Sequence, residues 1–289
     1  MKILYVKTFM HDKNHHALMN YKNIEFTTIY SVDQVERHDL SHYDCVLSPE
    51  MPIDVSKYPK TKFIFGPHFS IFPDDKLNNI KGKNTVFNLL SEWVVNCWAK
   101  SHFCLNLNLV KIPFGVDTNK FNNVNHINDR NEVFIYFKNR NPNELETVQN
   151  FLNSKNFNYR IFSYHNRYSE SDYLNYLQHS KYGIWIGGHE SQGFGLQEAL
   201  SCDVPLLVWN VKSMKQEYGS TYEDIPATSL TYWDERCGEV FYDSSDFENV
   251  YDKFIEKIET YTPREFILEN LSMEVCENKL IETINNIIV

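Results

Sequence analysis

The sequence predicts an α/β protein built from two Rossmann-like βα domains that face a central cleft. Three observations predict it. Short apolar runs alternate with longer polar or amphipathic stretches, the pattern of parallel strands joined by helices. The alternation stops in an aperiodic polar stretch, "DTNKFNNVNHINDRN" at 117–131, and then restarts. At 289 residues the chain is long for one compact domain, and each half is large enough to bury its own core.

In the first half, apolar runs bounded by polar residues place strands at 2–6, 24–29, 43–47, 62–65 and 85–90, and 109–113 closes the half. After the connector, 132–137 reads as a strand. Residues 144–153 read as a helix, because Leu145, Val148 and Leu152 recur at i, i+3 and i+7. Strands follow at 159–162, 182–186 and 204–208, with helices at 171–179, 246–260 and 272–288. The last carries one apolar stripe, Leu280, Ile284, Ile287 and Ile288. The expected domains are therefore 1–116, 132–262 and a C-terminal helical segment, 263–289, that packs back on the first. Ligands of such folds bind at the carboxyl ends of the strands.

The formal charge of −10 argues against a nucleic-acid-coating surface, which needs a continuous basic stripe. Any anionic ligand is then small and locally bound. The six cysteines are scattered without a C-x-x-C, so neither a zinc site nor a disulfide framework is indicated. Residues 1–7 lack the apolar length of a signal peptide, and no segment approaches membrane-spanning length. The expectation is a cytoplasmic protein, with peripheral membrane contact left open.

The chemistry concentrates in "GHESQGFGLQEAL" at 188–200. A strand ends at Gly187-Gly188 and a helix is expected to start near Gly195, so the loop lies on the ligand side of the sheet. Backbone amides of Gly193, Phe194 and Gly195 then sit at the positive end of the helix dipole, which suits phosphate. Glu198 falls one turn into the helix, where a carboxylate can accept hydrogen bonds from a ribose diol. Glu190 precedes it, nearer to whatever lies beyond the phosphates. A diol, a diphosphate and a second polyol describe a nucleotide sugar.

Glu190 and Glu198, eight positions apart, resemble the E-x7-E signature of nucleotide-sugar glycosyltransferases of the GT-B fold. The stretch is most similar to the retaining group called glycosyl transferases group 1, or family 4. "LLSEWVVNCWAKSH" at 89–102 and "VKIPFGVDTNKF" at 110–121 resemble the segments where that family passes between its domains. The resemblance implies a sugar transfer from a nucleotide-diphosphate donor to a glycan or other hydroxyl acceptor, with retention, no metal and no cofactor beyond the donor itself. It implies that Glu198 binds the ribose, Glu190 the transferred sugar, and the amides of Gly193 to Leu196 the sugar and diphosphate. In "YFKNR", Lys138 and Arg140 occupy the place of a basic pair that neutralises the leaving diphosphate. Asp-x-Asp occurs nowhere, which argues against the metal-dependent GT-A alternative. The first strand runs into Lys7-Thr8-Phe9 without the usual glycine-rich loop, and the N-terminal domain is shortened.

Other residues admit plainer readings beside functional ones. His68, after the strand in "FIFGPHFS", is expected to face the cleft and touch donor or acceptor; the alternative is a hydrogen bond within its own loop. Asn210 ends a strand beside the expected pocket and is assigned to donor binding. His11, His15 and His16 have metal-binding spacing only if helical, and a surface loop is the expectation. A rival from a different class is a binding or regulatory protein that keeps the donor pocket without transfer. A dehydrogenase would want G-x-G-x-x-G after the first strand, which is absent.

Overall fold

A computed structural model describes residues 1–164, 166 and 168–289. The chain divides into two compact units, Met1–Gly115 with Leu271–Val289, and Val116–Asn270.

The first unit holds a six-stranded sheet, β1 (Lys2–Val6), β2 (Glu25–Ile29), β3 (Cys45–Ser48), β4 (Phe63–Phe65), β5 (Thr85–Leu89) and β6 (Leu109–Lys111). Its order is β2-β1-β3-β4-β5-β6, and every pairing is parallel. The central strands are buried along almost all of their length because both faces are covered. Phe63, Phe65, Phe69, Phe87 and Trp98 form a continuous series of ring contacts in this core. Short 3-10 helices at Val32–Arg37, Val55–Lys57 and Asp75–Ile80 stand in place of long crossover helices, which keeps the unit small. The two regular helices before residue 115 are α1 (Asp12–Met19) and α2 (Glu92–Trp98).

The second sheet contains β7 (Glu132–Lys138), β8 (Arg160–Ser163), β9 (Ser180–Gly187), β10 (Leu206–Trp209) and β11 (Gly238–Phe241). Its order, β11-β10-β9-β7-β8, is again parallel. Its helices are α3 (Pro142–Ser154), α4 (Glu170–Leu177), α5 (Phe194–Ser201), α6 (Phe247–Glu256) and α7 (Pro263–Asn270), and α8 (Met273–Asn286) completes the chain. Among the described residues no helix is long and apolar enough to cross a membrane.

The polar stretch read as a connector belongs to the second unit. Phe121 is buried, and Arg264 donates to the carbonyls of Thr118, Phe121 and Ser201 at 3.1, 3.0 and 2.6 Å. Arg130 donates to Asn125, Cys202 and Asp203 carbonyls nearby. The C-terminal segment also divides, whereas the sequence reading kept 263–289 together. Arg264 holds α7 in the second unit, while α8 belongs to the first, where buried Glu277 accepts from the amide and side chain of Asn23. Gly115 permits this seat for α8, since a Cβ there would lie 2.6 Å from the Met273 Cα.

Candidate functional site at the strand-order reversal

In the second sheet the chain steps from β7 outward to β8, then returns to β9 on the other side of β7. Such a reversal leaves a crevice beyond the carboxyl ends of the two adjoining strands. Lys138 and Gly187 are register partners at those ends. The chain leaving β7 therefore carries Lys138, and the chain leaving β9 carries His189 and Glu190. Lys138 Nζ lies 2.7 Å from Glu190 Oε1, with the two side chains only 19% and 14% exposed. Burial works against the ammonium charge, but the attraction and hydrogen bond of Glu190 outweigh it and raise the Lys138 pKa. The ammonium also rests 4.7 Å from the Tyr164 ring centroid.

The helix α5 opens beside this pair. Gly193, its N-cap, has φ 85°, a left-handed conformation that glycine adopts without strain. The N-cap, being glycine, has no side chain with which to cap this helix start, and residues 193–195 are half-buried rather than sealed. The first amides of the helix thus present the positive end of its dipole. Gly195 lies against two stacked rings, Tyr136 and Trp185, whose centroids are 3.8 Å apart. A Cβ at Gly195 would come within 3.4 Å of Trp185 and 3.5 Å of the Tyr136 hydroxyl. Leu196 and Glu198 are buried. Burial first, then Tyr168, Glu190 and Glu198, raise the Tyr136 pKa, so both signature carboxylates act on one phenol.

Three participants were missed by the sequence reading. Asn139, at φ 52°, donates its side-chain amide to Glu217 Oε1 at 3.1 Å, and its carbonyl accepts from the Tyr218 amide. His189 Nδ1 lies 3.0 Å from the other oxygen, Glu217 Oε2. Glu217 therefore joins the chain ends leaving β7 and β9. Burial, and then Lys138, lower the His189 pKa to about 4, while burial raises that of Glu217 against the pull of Lys138. His189 was legible beside Glu190 in the motif. Glu217 sits in the long excursion after β10, where no spacing marks it.

No protein-family model matches the sequence, and no curated protein matches it. Solved structures do. The N-terminal domain of Candida albicans trehalose-6-phosphate phosphatase is similar over 100% of this chain and 97% of its own, with TM-score 0.62 and 10% identity. Sucrose-phosphate synthase from Thermosynechococcus elongatus is similar over 99% and 98%, with TM-score 0.58 and 9% identity. WaaG, a glycosyltransferase involved in lipopolysaccharide biosynthesis, is similar over 99% and 100%, with TM-score 0.51 and 12% identity. The chain has the GT-B fold.

Within this GT-B chain two residues expected to touch the donor are turned inward. Arg140, 1% exposed at its side chain, donates to the carbonyls of Gly187 and Trp209 at 3.0 and 2.8 Å and to Glu144 Oε1 at 2.6 Å. It ties the ends of β9 and β10 together, so of the expected pair only Lys138 lies against Glu190. Asn210 is also buried; its Oδ1 accepts from the amides of Val211 and Ser229, and its amide reaches Thr228 Oγ1 at 2.9 Å. It fixes the 228–231 loop, which in turn braces the signature loop, since the Thr228 carbonyl accepts from the Glu190 amide and Thr231 donates to the Gln192 carbonyl. Asn210 therefore shapes the site from behind.

His68 belongs to the first unit of the GT-B chain. Its Nε2 is 3.1 Å from Asn14 Nδ2, Phe9 meets its ring edge-on, and burial, with His11, lowers its pKa to about 4. The histidines expected in a surface loop are helical instead: His11 is the N-cap of α1, and His15 and His16 lie within it.

Proposed function

We propose that this chain is a glycosyltransferase that takes a sugar from a nucleotide-diphosphate donor and passes it to a hydroxyl of a glycan or small-molecule acceptor. One observation carries the reading: the start of α5, with glycine as its N-cap, opens beside the Lys138–Glu190 pair at the strand-order reversal. The GT-B fold, shared with the glycosyltransferase WaaG, supports it.

In this reading the diphosphate lies on the amides of Gly193 to Leu196, with Lys138 against its oxygens. Glu190 accepts from hydroxyls of the transferred sugar. Glu198 takes the ribose, and because it is buried, donor binding must open a way to it. The anomeric carbon–oxygen bond breaks with its electron pair leaving on the diphosphate, and the acceptor oxygen forms the new bond. The acceptor proton passes to the departing phosphate oxygen. Lys138 and the helix start stabilise the charge that develops there, which assigns the stabilisation to fixed protein groups rather than a metal. The acceptor oxygen, which delivers its proton to the departing phosphate, forms its bond on the leaving-group face, and this retains the anomeric configuration.

Thermal-shift measurements against UDP-, GDP-, ADP- and dTDP-sugars test the binding step, because a ligand of the folded state raises Tm by mass action. Release of the nucleoside diphosphate then tests turnover. A stabilising donor that is neither transferred nor hydrolysed with any acceptor would point to the non-catalytic rival.

A further inference from the structure

The Lys138–Glu190 pair also bears on which ligands the site accepts, an inference that rests on the donor reading above. The two groups are 2.7 Å apart and largely withdrawn from water, so the ammonium is already balanced. Glu217 adds further negative potential at Lys138. Phosphate oxygens approaching Lys138 bring a second negative charge beside Glu190 and draw away part of its counter-ion. In a desolvated pair, weakening one partner's hold leaves the other under-compensated, at a much higher cost than on an exposed surface. A ligand avoids that cost by bringing hydrogen-bond donors of its own to Glu190. The hydroxyls of a sugar linked to the diphosphate are such donors; the phosphate end of a nucleoside diphosphate has only acceptors.

We propose that Glu190 is a specificity-determining residue that makes the site prefer a nucleotide sugar to the nucleoside diphosphate left after transfer. The same pair that admits the donor then favours release of the spent product. This role concerns discrimination between two ligands, so it is separable from a general contribution to folding or to anion binding.

Isothermal titration of the full chain with UDP and UDP-glucose, GDP and GDP-mannose, and ADP and ADP-glucose tests it. The wild type is expected to bind one nucleotide sugar more tightly than its matching diphosphate. In Glu190→Gln, which keeps the side-chain size and an oxygen for Lys138, affinity for the diphosphate rises about tenfold and the preference for the sugar form shrinks. Glu190→Asp keeps the charge but shortens its reach to Lys138, and a smaller rise in diphosphate affinity is expected. An unchanged ratio of the two affinities in both variants, or an equal loss of both ligands, would overturn the proposal while leaving the donor reading intact. Failure of all six ligands to bind wild type and variants would overturn the donor reading, and this proposal with it.

Discussion

Arg140 donates from its buried guanidinium to the carbonyl oxygen of Trp209 at 2.8 Å, and to that of Gly187 at 3.0 Å. Two residues earlier, Lys138 ends β7 and pairs with Glu190. Adjacent basic residues thus do different work. Arg140→Met should cost about 3 kcal/mol of folding stability, since it leaves Glu144 and two strand-end carbonyls without their donor. Lys138→Met should cost a similar amount, because it leaves the largely buried Glu190 without its counter-ion, and should in addition weaken diphosphate binding at least about tenfold, which Arg140→Met should not. Urea denaturation and calorimetric titration of both variants check the contrast.

Gly193→Ala should destabilise the protein by about 1 kcal/mol, because its φ of 85° is one that a Cβ disfavours. The helix start should shift as a consequence, and donor affinity should fall further than stability does. Paired denaturation and calorimetry on this variant measure the two effects separately.

Glu217→Leu should raise the KM for donor several-fold with a smaller change in kcat. Its two oxygens engage Asn139 and His189 from opposite sides of the reversal, and losing both contacts lets the chain ends drift. Steady-state kinetics on the variant, with a melting curve to separate lost stability, check this. An equal fall in kcat with KM unchanged would assign Glu217 a different role.

His68 contributes a pH dependence whose sign is fixed. Its folded pKa of about 4 is below the ordinary 6.5, so the unfolded chain binds more protons between these values. Stability from this residue is fully present above about 6.5 and is lost as pH falls toward about 4. The difference in unfolding free energy between wild type and His68→Gln should therefore decline across that window. A flat difference would show that His68 is not held neutral by its surroundings.

The parallel strands were legible because both faces are buried and the apolar runs are nearly continuous. The exception, β11, is a four-residue strand starting at Gly238, where a Cβ would collide with the Leu206 backbone. A short run led by glycine gives little pattern to read. The signature loop was legible because its glycines and glutamates are neighbours in sequence. Arg140 was grouped with Lys138 on the likeness of "YFKNR" to a basic pair, and such a likeness does not show which way each side chain turns. The left-handed backbone at Asn139 separates the two and lets Arg140 turn inward. Asn210 looked like a ligand group because its position at a strand end was visible, while its partners Thr228 and Ser229, far along the chain, were not. Glu217 reaches the site only through the folding of the excursion after β10.

Calorimetric titration of wild type and Lys138→Met with UDP-, GDP-, ADP- and dTDP-sugars tests the donor site most directly. The account predicts that one of these binds the wild type and that Lys138→Met weakens it at least about tenfold without unfolding the protein. Binding of none of the four, or equal binding by both proteins, would contradict it.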